Sequence, residues 1–299
     1  MPRLRSSLFA CFIIVVLSFS LGGCRPGSAA GATGPAPASD YIQNKGSDTI
    51  VNLALAWAER YQQEHPEVRI SVTGGGSGTG IASLINGTVD IANASRAIKD
   101  EEIAQAQAQG IDPQEIVIAR DAIAVIVNPS NPVQQLTMEQ VAGIYRGEIN
   151  NWKELGGEDR PIVRVSRETN SGTHVYFLEA VVRLGDSDNK AIFSDDTLLL
   201  PSSEGIISEV GDNPNAIGYD GLGYVTEHVK VVAIAETAGG AYVMPSAETV
   251  NTGKYPISRD LYMYTNKEPN ATIQVYLDWI LSPEAQEIVT ELGFVPVKQ

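Results

Sequence analysis

Runs of β-branched residues alternate along this chain with segments in which apolar residues recur at helical spacing. The first such segment follows Gly46 and carries Leu53, Trp57 and Tyr61 four residues apart, which puts all three on one face of a helix. The same order of strand, short loop and helix returns several times. Strands that alternate with helices in this way predict an α/β fold built in layers.

The patterns place most of these elements. Strands are predicted at 41–45, 68–73, 89–92, 121–130, 162–165, 216–219, 229–234 and 260–265. Helices are predicted from the turn at 46–49 to about His65, at 81–86, at 137–145, at 174–184 and as one long terminal helix at 271–292. The spacing of Thr137 and Gln140 is that of a capping box, which supports a helix start there.

The first residues have the features of a targeting segment and are not counted in the fold. Arg3 and Arg5 precede an apolar run at 8–21, and the run ends in Leu21-Gly22-Gly23-Cys24, which matches the bacterial lipobox. We therefore predict a lipoprotein signal peptide at 1–23, removed to leave an acylated Cys24. An ordinary secretory signal with an incidental cysteine is the alternative. Because the other cysteine, Cys11, lies in the discarded part, the mature chain has no cysteine pair for a disulfide.

Residues 24–40 are rich in Pro, Gly, Ala and Ser and lack apolar bulk, so they predict a flexible tether. About 260 residues remain, a length that fits two medium domains better than one. The net charge is −15, and it becomes −17 once Arg3 and Arg5 are removed. Such a charge argues against nucleic acid as a partner. It leaves an anion ligand possible, because a bound anion is held by local donors.

Three turns rich in Gly, Ser and Thr each lie between a predicted strand and a helix: 46–49, 74–80 and 171–173. The first N–H groups of a helix lack internal partners and sit at the positive end of its dipole, and glycines allow close approach of a ligand. Each turn could therefore bind an anion. Each also has a structural alternative, an ordinary helix N-cap for any of the three or a flexible connector for 74–80.

Arg167 precedes the third turn by four residues and offers a planar fork of donors suited to an oxyanion. A surface arginine is the alternative. Enzyme motifs are not met in the glycine loop: Ile81 stands where a P-loop needs lysine, and Thr79 stands where a dinucleotide fingerprint or a nucleophile elbow needs glycine. No metal or cofactor is expected, since the three histidines lack ligand spacing. His174 is interpreted as a helix-surface residue rather than a base.

The motifs resemble the phosphate-binding subunits of bacterial Pst-type phosphate ABC transporters. The similarity runs from Lys45 to the C-terminus and rests on four motifs: Gly46-Ser-Asp-Thr, the glycine loop 74–80, Asp90 to Arg96, and Arg167 to His174. It implies a type II periplasmic-binding-protein fold with two crossovers, a ligand cleft between the domains, and closure by a hinge. Domain 1 would comprise 41–127 plus 257–299, and domain 2 would comprise 128–256.

The resemblance also implies a function and a site. The protein would capture inorganic phosphate outside the cytoplasm and deliver it to the permease and ATPase of an importer, as a monomer anchored to the plasma membrane or in the periplasm through Cys24. It would not be an enzyme. The site residues implied are Ser47, Asp48 and Thr49 on one wall, Ser77 from the glycine loop, Ser95 and Arg96 after the third strand, and Arg167, Ser171, Gly172 and Thr173 from the other domain.

One position departs from the family. Members of the long-chain branch have an aspartate after the serine of the third motif, where it accepts the proton of phosphate and so repels sulfate, whereas this chain has Arg96. An unpaired carboxylate facing sulfate would cost several kcal/mol. Our hypothesis is that Asp48 takes the acceptor role, with Arg96 adding positive charge or pairing with Asp48. Asp48 as a plain N-cap is the alternative.

Other functions remain as alternatives at this point. A binding protein for another oxyanion, such as sulfate or molybdate, would use the same donor turns, and a lipoprotein that senses phosphate would use the same site. A secreted phosphatase is a third alternative, but it would need a nucleophile with a base or a metal, and the sequence offers neither arrangement.

Overall fold

The structure is a computed structural model and describes residues 40–297, which contain twelve strands and nine α-helices. The strands are β1 (Asp40–Gly46), β2 (Val68–Thr73), β3 (Ile91–Ala94), β4 (Pro113–Val127), β5 (Gln135–Thr137), β6 (Val163–Arg167), β7 (Leu198–Leu200), β8 (Ala216–Gly221), β9 (Lys230–Val231), β10 (Ala233–Ala235), β11 (Ser258–Asn266) and β12 (Val295–Pro296). The helices are α1 (Asp48–Glu64), α2 (Ser77–Ile85), α3 (Asp100–Ala108), α4 (Met138–Tyr145), α5 (Gly172–Phe177), α6 (Ser203–Asp212), α7 (Ala247–Asn251), α8 (Ala271–Ile280) and α9 (Pro283–Glu291).

Ten of these strands form one mixed sheet. Eight of them follow the order β2-β1-β3-β11-β4-β8-β6-β7, and β9 and β12 also pair with β4. The neighbours β1, β2 and β3 are parallel, as are β6, β7 and β8, whereas β4 and β11 run antiparallel to their neighbours. Because parallel strands end at the same edge of a sheet, the loops that follow β1 and β3 lie side by side.

The long strand β4 belongs to both parts of this sheet. Its first part pairs with β11, while Ile123 to Val127 pair with β8. Residues 121–127 are all buried, and from Ile123 to Val127 the side chains alternate between two apolar clusters, with Ile126 in one cluster and Val125 and Val127 in the other. Burial on both faces explains the continuous apolar run that predicted this strand. β4 ends at Val127 and β11 begins at Ser258; the division into two domains near these positions stays a prediction.

Several predicted elements differ from those observed. The terminal helix is two helices, because Ser282 caps a new helix and Pro283 cannot donate the N–H that a continuous helix needs. The helix α3 was not predicted, since its polar and alanine-rich sequence has little amphipathic pattern. The predicted helix 174–184 is the short helix α5 followed by a π-helical turn at Leu178–Val182. The capping box at Thr137 and Gln140 is confirmed.

The predicted signal peptide, the lipobox with Cys24, and nearly all of the predicted tether lie outside the described residues. Asp40, predicted as the last residue of the tether, is the first residue of β1. Within 40–297, no helix combines the length and the apolar character needed to cross a membrane.

Candidate oxyanion site

Three serine hydroxyls from separate turns meet at the ends of β1 and β3. Ser47 occupies the N-cap position of α1 without a capping hydrogen bond from its side chain, Ser77 is the first residue of α2, and Ser95 follows β3. The Ser47 hydroxyl donates to Ser95 Oγ at 2.9 Å, and Ser77 Oγ lies 3.2 Å from Ser95 Oγ and accepts the Ser95 N–H at 3.0 Å. All three are buried. The structure therefore brings together hydroxyls that are up to 48 residues apart in the chain.

The third predicted turn faces these hydroxyls from a distant part of the chain. The Oγ1 atoms of Thr49 and Thr173 are 2.8 Å apart, and a Cβ added to Gly172 would clash with the hydroxyls of Ser77 and Ser95. Glycine at 172 thus lets the start of α5 pack directly against the serine cluster. Ser171 acts as the N-cap of α5, since its side chain accepts the Thr173 N–H at 3.2 Å.

The glycine loop is held by its contacts, which argues against its interpretation as a free connector. Asn170 accepts the N–H of Gly78 at 3.1 Å through its carbonyl and donates from its side chain to the carbonyl of Gly75 at 3.0 Å. Gly76, the residue before α2, has a φ of +89°, a conformation that L side chains rarely adopt. The loop is therefore joined to the residues that precede α5.

Arg167 is buried at this site, so its interpretation as a surface arginine is wrong. It ends β6, and its side chain is 1% exposed. Its Nη2 donates to Asp48 Oδ2 at 2.7 Å and to the carbonyl of Pro201 at 2.9 Å, and its Nη1 donates to Ser203 Oγ at 2.9 Å. Its Nε has no hydrogen-bond partner among the described residues. A buried N–H left over in this way is a donor available to a ligand.

Asp48 links the glycine loop to Arg167. Its Oδ1 accepts the N–H of Gly75 at 2.9 Å while its Oδ2 accepts from Arg167. The N-cap of α1 is Ser47, and Asp48 is the first residue inside the helix, so the interpretation of Asp48 as a plain N-cap is wrong. Each carboxylate oxygen has two lone-pair sites, and therefore Asp48 can accept a further hydrogen bond.

Arg96 does not pair with Asp48, so of the two roles predicted for it the pairing is wrong. Its guanidinium makes two hydrogen bonds to Glu102, at 2.7 and 2.8 Å, and a third to the carbonyl of Ala97. Burial raises the pKa of Glu102, but hydrogen bonds from Arg96 and the Lys99 backbone outweigh burial and leave this pKa below its ordinary value. The reason is the unpredicted helix α3, whose acidic first turn brings Glu102 to the guanidinium. Arg96 remains close to the site, with Nη2 4.0 Å from where a Cβ on Gly78 would lie.

His174 is also buried, so its interpretation as a helix-surface residue is wrong. Its Nδ1 is 3.1 Å from Ser166 Oγ, and its ring packs against Phe193 with centroids 4.5 Å apart. Burial lowers the pKa of His174 below its ordinary value. Ser166 is itself fully buried and also bonds to the hydroxyl of Tyr219 at 2.5 Å. These contacts make the serine and histidine part of the packing behind α5.

The sequence did not predict two buried carboxylates, Asp121 and Asp220, or a third arginine, Arg259, behind the site. Asp121 pairs with Arg259 at 3.0 Å, and Asp220 accepts from Ser203 at 3.1 Å and lies 3.8 Å from Arg167. Burial raises the pKa of Asp121 to about 6 against the lowering effect of the Arg259 charge. Burial likewise raises the pKa of Asp220. The available signal was an acidic residue inside or next to an apolar strand, because such a charge requires a partner.

Within residues 40–297, no cluster of three or more His, Cys, Asp or Glu side chains is arranged to hold a metal ion. The described residues of the site instead offer side-chain hydroxyls, guanidinium groups and backbone N–H groups, all of which donate hydrogen bonds. Such a donor set suits an oxyanion that is held without its water shell.

The fold and this donor set are those of a solute-binding protein. The profile of the PBP superfamily domain matches residues 31–284, and the α/β periplasmic-binding-protein fold predicted from the sequence is confirmed. Among solved structures, a phosphate ABC transporter substrate-binding protein from Clostridium perfringens, described as putative and with bound phosphate, is similar with a TM-score of 0.77. It is 35% identical, and the match covers 87% of this chain and 100% of that one.

Curated relatives narrow the class to one family. The phosphate-binding protein PstS of Pseudomonas aeruginosa is 33% identical over 95% of this chain and 94% of its own length. The phosphate-binding protein PstS of Bacillus subtilis is 33% identical over 97% of this chain and 92% of its own length. The chain belongs to this family of phosphate-binding proteins, as its motifs predicted.

Proposed function

We propose that this protein captures inorganic phosphate at the site around Ser47, Ser77 and Gly172 and delivers it to an ABC-type phosphate importer. The observation that carries the proposal is the meeting of three helix-opening turns with a buried arginine that retains a free N–H. The membership of the chain in the phosphate-binding family supports phosphate as the ligand. The residues proposed to contact or attract the anion are Ser47, Asp48, Thr49, Ser77, Ser95, Arg96, Arg167, Ser171, Gly172 and Thr173.

Within this set, the hydroxyls and Arg167 have different roles. Hydroxyls that now bond to each other, such as Ser47 with Ser95 and Thr49 with Thr173, can turn their protons toward an anion. Arg167 supplies a charge-assisted hydrogen bond, which is about twice as strong as a neutral one. We assign Arg96 a screened positive charge, because both terminal nitrogens of its guanidinium already donate to Glu102 and Nε alone lacks a partner among the described residues.

Selectivity for phosphate over sulfate requires an acceptor, and we assign this role to Asp48. Hydrogen phosphate carries a proton that it can donate to a carboxylate, whereas sulfate has none at neutral pH. Asp48 lies beside Arg167 and retains acceptor capacity after its two observed hydrogen bonds. Sulfate has no proton to donate to the remaining lone pairs of Asp48 and would face its negative charge, which costs free energy when both groups are shielded from water.

We further propose that the chain acts as a binding protein without catalysis and is exported as a monomer, with Cys24 as its lipid anchor. The contacts of Ser166 and His174 support the proposal that the chain is not a catalyst, because both side chains are buried and hydrogen-bonded or packed within the protein. Metabolic labelling with a fatty acid tests the anchor: wild-type protein should take up the label, and Cys24→Ala protein should not.

Calorimetry of purified, phosphate-stripped protein tests the function. We expect one phosphate bound per chain, with sulfate and molybdate binding at least a hundredfold more weakly. Absence of heat with phosphate would contradict the proposal. Equal affinity for sulfate would make the protein a general oxyanion binder and would remove the acceptor role from Asp48.

A further inference from the structure

We propose that Arg259 is a positioning residue of the oxyanion site, which sets the hydroxyl of Thr173 as a donor toward the anion and fixes the end of β3 beside it. The inference rests on the proposed function, since it deepens the account of the same site. Arg259 was not among the residues predicted from the sequence, and none of the four motifs contains it.

The contacts of Arg259 connect distant segments of the chain. Its Nη1 donates to the carbonyl of Ser95 at 2.8 Å, and its Nη2 donates to Thr173 Oγ1 at 2.9 Å. The side chain is 3% exposed. Ser95 follows β3 and Thr173 lies in the first turn of α5, so one guanidinium holds together two of the turns that meet at the site.

The direction of the hydrogen bond to Thr173 has a chemical consequence. A guanidinium can only donate, and therefore Thr173 Oγ1 must accept from Arg259. The single proton of that hydroxyl is then available to another acceptor. In the structure the nearest acceptor is Thr49 Oγ1 at 2.8 Å; an anion bound at the site offers a stronger one. Arg259 thus orients the Thr173 hydroxyl as a donor toward the anion.

Asp121 holds Arg259 in this position. The two residues are directly opposite each other in the antiparallel register of β4 and β11, and Arg259 Nη2 donates to Asp121 Oδ2 at 3.0 Å. Asp121 is fully buried, which raises its pKa, and Oδ1 has no partner among the described residues. The other titratable groups that act on this pair are Asp220 and Tyr219 from β8, Tyr176 from α5, and Tyr255. The guanidinium carbon of Arg259 lies over the ring of Tyr176, 5.4 Å from the ring centroid.

The same ladder contains a matched control. Arg120 and Asp260 are the next opposed pair of β4 and β11, and they also form an ion pair, at 3.1 Å. Their side chains are 50% and 38% exposed, and no contact joins them to the serine cluster. Removal of the guanidinium from Arg120 therefore tests the loss of an arginine from this ladder without affecting the site.

The experiment compares phosphate binding by calorimetry in wild type, Arg259→Met, Arg259→Lys and Arg120→Met, each first checked for folding by thermal unfolding. We expect Arg259→Met to weaken phosphate binding at least tenfold and Arg120→Met to leave it within twofold. Arg259→Lys should recover part of the loss, because an ammonium can still donate to Thr173 but cannot reach the Ser95 carbonyl at the same time. A purely structural role would lower the melting temperature without this graded change in affinity.

The outcomes separate the two proposals. If wild type does not bind phosphate, the proposed function is wrong. If wild type binds and folded Arg259→Met binds within twofold of it, only the role of Arg259 is overturned. Should Arg259→Met not fold, Arg259→Lys and Asp121→Asn decide: a loss of threefold or more in both supports the role, and unchanged affinity in either one contradicts it.

Discussion

Two arginines, Arg167 and Arg96, were both predicted at the site, and their surroundings differ in a way that assigns them different roles. Arg167 donates to the Asp48 carboxylate through Nη2, while its Nη1 donates to the neutral hydroxyl of Ser203; the Nε of both arginines lacks a partner among the described residues. Arg96 presents both of its terminal nitrogens to Glu102. A guanidinium whose fork is already occupied by a carboxylate has little to offer an anion. The partner of an arginine, rather than the arginine alone, therefore decides its function.

The largest effect is expected from removal of Arg167. Arg167→Ala should weaken phosphate binding by about 1.5–3 kcal/mol, the range for hydrogen bonds to a charged group, which is at least tenfold in Kd. Calorimetry on the folded variant measures the change, with Arg120→Ala at an exposed ion pair as the control. Unchanged affinity would remove Arg167 from the site.

The next effect concerns the close packing that Gly172 permits. Gly172→Ala should reduce affinity by about 1–3 kcal/mol, because the new methyl group would overlap the hydroxyls of Ser77 and Ser95. Gly78→Ala is the control, since its methyl group would lie 3.4 Å from the nearest atom, in ordinary contact. Equal affinity of the two variants in a titration would show that the serine cluster is not where phosphate binds.

A substitution of Asp48, the partner of Arg167, tests the chemical basis of selectivity for phosphate over sulfate. Asp48→Asn should bind sulfate about tenfold more tightly relative to phosphate, because the amide no longer repels an anion that lacks a proton. A competition titration with both anions measures the ratio, and Asp260→Asn at an exposed ion pair serves as control. If the variant rejects sulfate as strongly as wild type does, another group accepts the phosphate proton.

The ion pair between Arg96 and Glu102 can be tested through the pH dependence of stability. The pKa of Glu102 is lowered in the folded protein, so its ionised form stabilises the fold above its ordinary pKa of 4.5, and this contribution is lost as pH falls through the folded-state pKa. Glu102→Gln should therefore lower the free energy of unfolding by about 1 kcal/mol at pH 7 and by less at pH 4. Urea unfolding at both pH values measures this, and a pH-independent difference would exclude the ion pair as its cause.

The smallest effect on binding is expected from Arg96. Arg96→Ala should change phosphate affinity by at most about threefold, because Glu102 already offsets its charge. A loss as large as that of Arg167→Ala would contradict the comparison and would mean that Arg96 leaves Glu102 to bind the anion.

Local chemistry allowed much of this site to be predicted. Glycine, serine and threonine between a strand and a helix mark helix N-termini whatever the rest of the chain does, so Ser47, Ser77 and Thr173 could be selected from the sequence. Arg259 and Asp121 could not, because they meet only through the register of β4 and β11, which depends on tertiary pairing. The alternative in which Arg96 pairs with Asp48 was wrong for a related reason. The sequence of α3 has little amphipathic pattern, so the helix that brings Glu102 to Arg96 was not predicted.

A crystal structure of the protein with phosphate tests the central claim most directly, because it locates the anion and both arginines together. The account predicts an anion within hydrogen-bond distance of Arg167, the Gly172 N–H and the hydroxyls of Ser77 and Thr173, with Arg96 still paired to Glu102. Phosphate bound elsewhere, or bound by Arg96 after it has left Glu102, would contradict the account.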